Sequence, residues 1–235
     1  MAGSEKLLAV LIDADNIPAK FAEPILKEIT SLGEPALRRV YGDWSSDRLR
    51  QWTGMVRELG LVAVQESANT KGKNASDIGL VIDAMDILHT GRFDGFVLVS
   101  SDSDFTALAN RIREEGKDVY GIGETKTPES LRNVCNRFIF IENIVEEPAR
   151  KQTGKASGKR PATEAIPLIR AAMERIDPDG DWYSLGTVGQ FITAEHPDFD
   201  SRTYGKPKLS ALLQDLKAFE TKRGSGNQLM VRRVD

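Results

Sequence analysis

Residues 7–16 read LLAVLIDADN, six apolar residues running without a break into Asp13, Ala14, Asp15 and Asn16. A short continuous apolar run bounded by turn residues is the pattern of a strand covered on both faces. Pro18 follows where a helix opens, and Phe21, Ile25, Leu26 and Ile29 then recur at helical spacing. The start of the chain therefore predicts strand, turn and helix, with carboxylates at the carboxyl end of the strand.

The same unit repeats downstream. Ala36 to Tyr41 reads as a strand before a helix from Asp47 to Leu59, and Leu61 to Val64 as a strand before a helix from Ser76 to Leu88. Phe96 to Val99 precedes a helix from Phe105 to Ile112; Val119 to Ile122, a short helix over Glu129 to Val134 and Phe138 to Ile141 complete the series. Apolar strands alternating with amphipathic helices predict an α/β fold: a mostly parallel sheet, right-handed crossovers and helices on both faces. Sheets of this kind bind ligands beyond the carboxyl ends of their strands.

Acidic residues gather at those ends. The first strand runs into Asp13 with Asp15 and Asn16 behind it, FVLVSSDSDF at 96–105 runs into Asp102 and Asp104, and Asp77 opens the third helix. Each taken singly fits a helix cap, since Asp, Asn and Ser accept from the free N–H groups of a first turn. Capping explains one acid per helix start and leaves Asp13 and the Asp102/Asp104 pair over. If Asp13, Asp102 and Asp104 stand about 4 Å apart, each pair repels by about 4 kcal/mol at an effective dielectric of 20, which a divalent cation would offset. Oxygen donors without a soft ligand suit Mg²⁺ or Mn²⁺, and the reaction such a site favours is phosphodiester hydrolysis.

Composition narrows the alternatives. The chain has 235 residues, 40% apolar and 29% charged, with net charge -3, the profile of a globular protein. No run approaches the roughly 20 apolar residues of a membrane span, and Glu5 and Lys6 precede the first apolar stretch, so a cytoplasmic location is expected. One cysteine, Cys135, excludes an internal disulfide; with only His89 and His196 beside it, any metal must be held by oxygen. Cys135 and His89 fall in helical stretches as packing or surface groups. Gly121-Ile122-Gly123 lacks the third glycine of a dinucleotide fingerprint and reads as a turn. Trp44 and Trp52 read as core or helix-face residues. The polar loop at 67–76 (SANTKGKNAS) brings Lys71 and Lys73 beside the acidic edge, where they can hold a phosphate backbone.

The segment 146–161 (EEPARKQTGKASGKRP) has no apolar period and reads as a flexible linker. It separates a domain at 1–145 from one at 162–235. Residues 1–150 carry a net charge of -6 and residues 151–235 one of +3. Beyond the linker, helices are expected over Ile166 to Ile176, around Val188, Phe191 and Ile192, and over Leu209 to Phe219, before a hairpin around Gly224 to Gly226. Three helices and a wing suggest a small winged-helix-like domain.

These motifs carry two family resemblances. LIDADN at 11–16, KNASDIGLVIDAMD at 73–86, FVLVSSDSDF at 96–105 and ESLRNVCNRFIFIENI at 129–144 resemble the NYN family, PIN-like metal-dependent ribonucleases also called LabA-like or DUF88. The resemblance implies a PIN-like three-layer sandwich with the first strand central and next to the fourth. It also implies an acidic metal site of Asp13, Asp77, Asp102 and Asp104, with Asn16 supporting Asp13. Many relatives have glycine after the first aspartate; this chain has Ala14. In the second domain DWYSLGTVG at 181–189, PDFD at 197–200 and RTYGKPKLSALL at 202–213 resemble an OST-HTH/LOTUS domain, which implies RNA binding or protein docking. Arg202, Lys206, Lys208, Lys222, Arg223, Arg232 and Arg233 are candidate backbone contacts.

The expected function is a Mg²⁺- or Mn²⁺-dependent ribonuclease with a C-terminal RNA-binding module and no membrane contact. Two other readings stand beside it. A non-hydrolytic RNA-binding adaptor would keep the fold without turnover, and a haloacid-dehalogenase-like phosphatase would use Asp13 and Asp15 as nucleophile and acid.

Overall fold

The computed structural model describes residues 5–65, 75–145 and 159–234. The chain divides into two compact units, Met1–Glu146 and Glu147–Asp235. Most of the expected linker, and the loop carrying Lys71 and Lys73, lie outside the described residues.

In the first unit β1 (Leu7–Asp13), β2 (Glu34–Gly42), β3 (Val62–Gln65), β4 (Gly95–Val99), β5 (Asp118–Gly123) and β6 (Arg137–Phe140) form one sheet in the order β3-β2-β1-β4-β5-β6. Every pairing is parallel. The crossovers contain α1 (Ala22–Ile29), α2 (Arg50–Glu58), α3 (Ala75–His89), α4 (Thr106–Glu114) and α5 (Glu129–Val134); a short α6 (Ile141–Ile144) follows β6.

The apolar run of β1 explains its central place. Leu8 to Ile12 are all fully buried, and the two-residue period of a strand divides them between two cores. Leu8, Val10 and Ile12 pack with Ile25 and Ile29 of α1 and Trp52 of α2, whereas Ala9 and Leu11 pack with Leu80 and Ala84 of α3 and Leu108 and Ile112 of α4. Val97 and Val99 of β4 join the first cluster, Phe96 and Leu98 the second. The result is the expected α/β three-layer sandwich with β1 beside β4.

From β1 the chain moves outward through β2 to β3, then α3 carries it back to β4 on the other side of β1. The order reverses between β1 and β4, and in such sheets the ligand crevice opens at the carboxyl ends of the two strands that part there. Asp13 ends β1, and Ser100, Ser101 and Asp102 follow β4.

Three readings of this unit need correction. Gly121 and Gly123 lie within β5, not in a turn: a Cβ on Gly121 would stand 2.4 Å from the Phe138 ring, so a glycine is required where β6 packs its aromatic side chain. Cys135 is not helical; it follows α5 with extended backbone and is buried, and burial pushes its thiol up to about 12. The expected helix from Asp47 is split into a 3₁₀ turn over Asp47–Leu49 and α2, with the Ser46 hydroxyl accepting from the Arg48 amide at the start.

The second unit contains α7 (Ile166–Ile176), β7 (Tyr183–Ser184), α8 (Leu185–Glu195), α9 (Leu209–Asp215), β8 (Phe219–Arg223) and β9 (Leu229–Arg233). Its strands form an antiparallel sheet in the order β7-β9-β8. Ile169, Met173, Val188, Ile192, Leu212, Leu213, Phe219 and Val231 share one core. The arrangement is winged-helix-like. The third helix is shorter than its apolar spacing predicts: Leu216 turns extended, and Phe219 enters the core from β8 instead of from a helix. Arg160, at the end of the expected linker, donates its backbone N–H to Thr203 O at 2.9 Å. Among the described residues no helix is long and apolar enough to cross a membrane.

Candidate metal centre

Asp13 is 2% exposed, and both carboxylate oxygens are occupied by the protein. Oδ1 accepts from the backbone N–H groups of Asp15 and Asn16, each at 3.2 Å, and Oδ2 accepts from Asn16 Nδ2 at 2.7 Å and Ser100 Oγ at 2.9 Å. These bonds favour the ionised form, but burial outweighs them and holds the carboxyl above its ordinary range. Asn16 thus donates to Asp13 through both its backbone and its side-chain N–H groups. Ser100, which the sequence reading passed over, donates to the same carboxylate from the end of β4 and is itself 3% exposed. Its signal was its position, directly after a fully buried strand, where a hydroxyl has few partners besides the neighbouring strand end.

Ser100 Oγ also accepts from the Asp102 amide at 3.1 Å, which ties the loop after β4 to the end of β1. Asp102 caps the 3₁₀ turn Ser103–Phe105, its Oδ1 accepting from the Asp104 amide at 2.9 Å. Capping and clustering are therefore compatible, since a carboxylate has two oxygens and several lone pairs. Asp77 comes from the first turn of α3.

The structure brings Asp77, Asp102 and Asp104 together: one carboxylate oxygen of each lies within 4.8 Å of one from each of the others. Asp13 is not part of that triplet, although its charge reaches Asp77. Asp77 is pushed up to about 6, first by burial and then by the charges of Asp13, Asp102, Asp104 and Asp15. Full charges at such separations repel by about 3 kcal/mol per pair at an effective dielectric of 20, less where solvent screens the exposed Asp104. Three oxygen donors from two segments fit a hard divalent cation, which removes this repulsion on binding.

Three further residues tie α3, which carries Asp77, to the sheet. Asp83, on α3, accepts from the Arg39 guanidinium and the Tyr41 hydroxyl of β2. Tyr41 is 1% exposed and sits in register with Asp13, so α3 is clamped to the strand next to the one carrying Asp13. Burial and the Asp83 charge push the Tyr41 hydroxyl well above its ordinary range, so it remains a donor. Asp83 lies inside the motif KNASDIGLVIDAMD, but its partner Tyr41 is 42 residues away and carries no local signal.

Residues 7–142 match the NYN domain. The chain belongs to the NYN family. Residues 159–231 match the OST-HTH/LOTUS domain. Among solved structures, a protein of unknown function from Vibrio parahaemolyticus is 22% identical, with a TM-score of 0.51 over 60% of this chain and 96% of that one, a likeness of fold. An uncharacterized protein from Nitrosomonas europaea is 28% identical over 38% of this chain and 90% of that one, with a TM-score of 0.28. No curated protein matches the chain.

In the OST-HTH domain several candidate cations are engaged with acids. Arg202 holds Asp200 through Nε and Nη2, Lys206 pairs with Asp215, Arg232 with Glu220 and Arg233 with Glu174. Arg223 donates to Asn227 Oδ1 at 2.6 Å, and Lys222 Nζ stands 3.7 Å from the centre of the Trp182 ring, with Arg232 at 5.0 Å. Lys208 precedes α9 and is exposed, without an ion pair among the described residues.

Proposed function

We propose that the NYN domain is a Mg²⁺- or Mn²⁺-dependent ribonuclease, with RNA delivered by the OST-HTH domain. The observation that carries this reading is the convergence of Asp77, Asp102 and Asp104 at the β1/β4 crevice, where parallel sheets take their ligands. A divalent cation bound there supplies a lowered pKa for water and stabilisation of the charge that develops on the phosphate oxygens. The chain's own part is to hold the donors. Asp77, Asp102 and Asp104 are the metal ligands, and Asp13, Asn16 and Ser100 keep the two strand ends in register behind them. Asp13 completes the acidic field without presenting a free oxygen, which also speaks against its use as the nucleophile of a phosphatase.

RNA as substrate is supported by the pairing of an NYN domain with an OST-HTH domain in one chain. The test is cleavage of labelled single-stranded and stem-loop RNAs in Mn²⁺, in Mg²⁺ and with chelator. Wild type is expected to cut with metal and stop with chelator, while Asp102→Asn loses at least about a hundredfold in rate, the scale of removing a charged group from a site that acts through charge. Equal cutting by Asp102→Asn would remove the assignment. Metal binding and RNA binding without cutting of any substrate would make the protein a non-hydrolytic adaptor.

A further inference from the structure

A helix that lies on a sheet needs one apolar face, and α3 has a second. Leu80, Ala84, Ile87 and Leu88 are buried in the core shared with β1, β4 and α4. Ile78 and Ile82 stand one turn apart and are 60% and 58% exposed, where a surface helix presents polar side chains. Val81 and Met85, partly buried against the same core, lie between the two faces, so positions 78, 81, 82 and 85 form one stripe at helical spacing.

The stripe starts beside the acidic centre. A helix turns about 100° per residue, which places Val81, Met85, Ile78 and Ile82 about 40°, 80°, 100° and 140° round from Asp77 in one sense. Asp83, which bonds to Arg39 and Tyr41 of β2, lies about 120° round in the other sense. The stripe therefore faces away from β2 and borders Asp77, whose carboxylate meets those of Asp102 and Asp104. Ile78 is the next residue in the chain, and Ile82 lies about 8 Å from Asp77 along the helix axis, within the reach of one nucleotide.

Its size limits what covers it. Ile78 and Ile82 together expose about 200 Å² of apolar surface, against the roughly 800 Å² that each partner of a stable protein–protein interface buries. That is too little for a second copy of the chain and matches one planar ring system, which buries about 150–250 Å². Beside a centre that holds a phosphate, the flat apolar body within reach is a base of the same strand. Bases in a duplex are paired and stacked, whereas those of a single strand are free to leave the stack. Every base has an apolar face, so aliphatic side chains accept any of them.

We infer that the stripe is a base-binding shelf. It takes an unpaired base of an RNA strand whose phosphate lies at the acidic centre, with Ile78 and Ile82 against the face of the ring. The shelf makes the site select single-stranded over paired RNA without reading its sequence. The inference deepens the ribonuclease reading and rests on it for the position of the phosphate; binding of the base needs no turnover.

The test is binding of a labelled single-stranded hexaribonucleotide to the full chain in Ca²⁺, read by fluorescence anisotropy. Beside it run the same strand with each base in turn replaced by an abasic ribose, which keeps every phosphate, and the duplex of the same sequence. At one position the abasic strand is expected to bind wild type about tenfold more weakly, which corresponds to about 60 Å² of apolar contact. Ile78→Ala and Ile82→Ala replace exposed side chains, so both variants fold. Each should bind the intact strand about as weakly as wild type binds the abasic one, lose little more on the abasic strand, and bind the duplex as wild type does. Equal abasic losses in wild type and both variants, or no loss at any position, overturn the shelf. Sedimentation of wild type as a dimer that either variant dissolves assigns the stripe to a second copy and also overturns it. Base-dependent binding by a preparation that cuts no RNA in Mn²⁺ keeps the shelf and removes the ribonuclease; cutting in Mn²⁺ without an abasic effect does the reverse.

Discussion

The Ser100 hydroxyl donates to Asp13 Oδ2 at 2.9 Å and joins the ends of β1 and β4 at the point where the strand order reverses. The same oxygen accepts from the Asp102 amide at 3.1 Å, so one buried side chain sets the distance between a strand-end carboxylate and the loop bearing two more. Ser100→Ala removes both bonds in a site closed to water and is expected to cost about 1–3 kcal/mol of stability. Denaturant unfolding of the chelated protein measures this, and an unchanged midpoint would mean that neither bond contributes.

Asp77 titrates in the opposite sense to a salt-bridged carboxylate. Its pKa rises from an ordinary 3.8 to about 6, so the metal-free folded state binds more protons than the unfolded chain between those values. The stability this gives is present in full below about pH 4 and is lost as pH rises through 6. Without metal, thermal stability should therefore fall as pH rises from 4 to 7. Asp77→Asn should flatten that part of the profile and raise the metal-free melting temperature at pH 7. It should also abolish any stabilisation by Mn²⁺, because one of three donors is gone. Scanning calorimetry of both proteins over pH 4–8, with and without Mn²⁺, decides the matter: a variant that Mn²⁺ stabilises as well as wild type would exclude Asp77 as a ligand.

The strands and most helices were legible because burial on both faces leaves a continuous apolar run, as in Leu8 to Ile12, and helices leave their period. The acids were legible as residues at strand ends; their division of labour was not. Nothing in LIDADN tells that both oxygens of Asp13 are engaged by Asn16, Ser100 and the backbone, since Ser100 is 87 residues away. Asp83 and Tyr41 were missed for the same reason. At the other end, Phe219 extended a helical spacing by chance: an apolar residue at the start of a strand facing the same core satisfies either period.

The bonds from Asp83 to Arg39 and Tyr41 make α3 a rigid carrier for Asp77. Tyr41→Phe removes one donor and keeps the ring that fills the core, so it should cost about 1 kcal/mol. Asp83→Ala leaves the Tyr41 hydroxyl buried without its acceptor and should cost more. Both should speed amide hydrogen exchange in the first turns of α3 more than in α4, and weaken Mn²⁺ binding without touching a ligand. Uniform exchange across both helices would show that packing of Leu80 and Ala84 alone holds α3 in place.

In the OST-HTH domain the ion pairs separate two kinds of basic residue. Arg202 is bidentate to Asp200, whose side chain is 8% exposed, so Arg202→Ala strands a nearly buried carboxylate and should appear first as a loss of stability. Lys208 is exposed, and Lys222 lies over Trp182 without an acid partner among the described residues. If these two meet RNA phosphates, Lys208→Ala and Lys222→Ala should each lower the slope of log affinity against log salt by about 0.7–0.9, with melting temperature unchanged. Filter binding of a single-stranded RNA from low to moderate salt measures the slope. A reduced slope for Arg202→Ala, with slopes for the two lysine variants equal to wild type, would move the RNA-binding face to the Arg202 side of the domain.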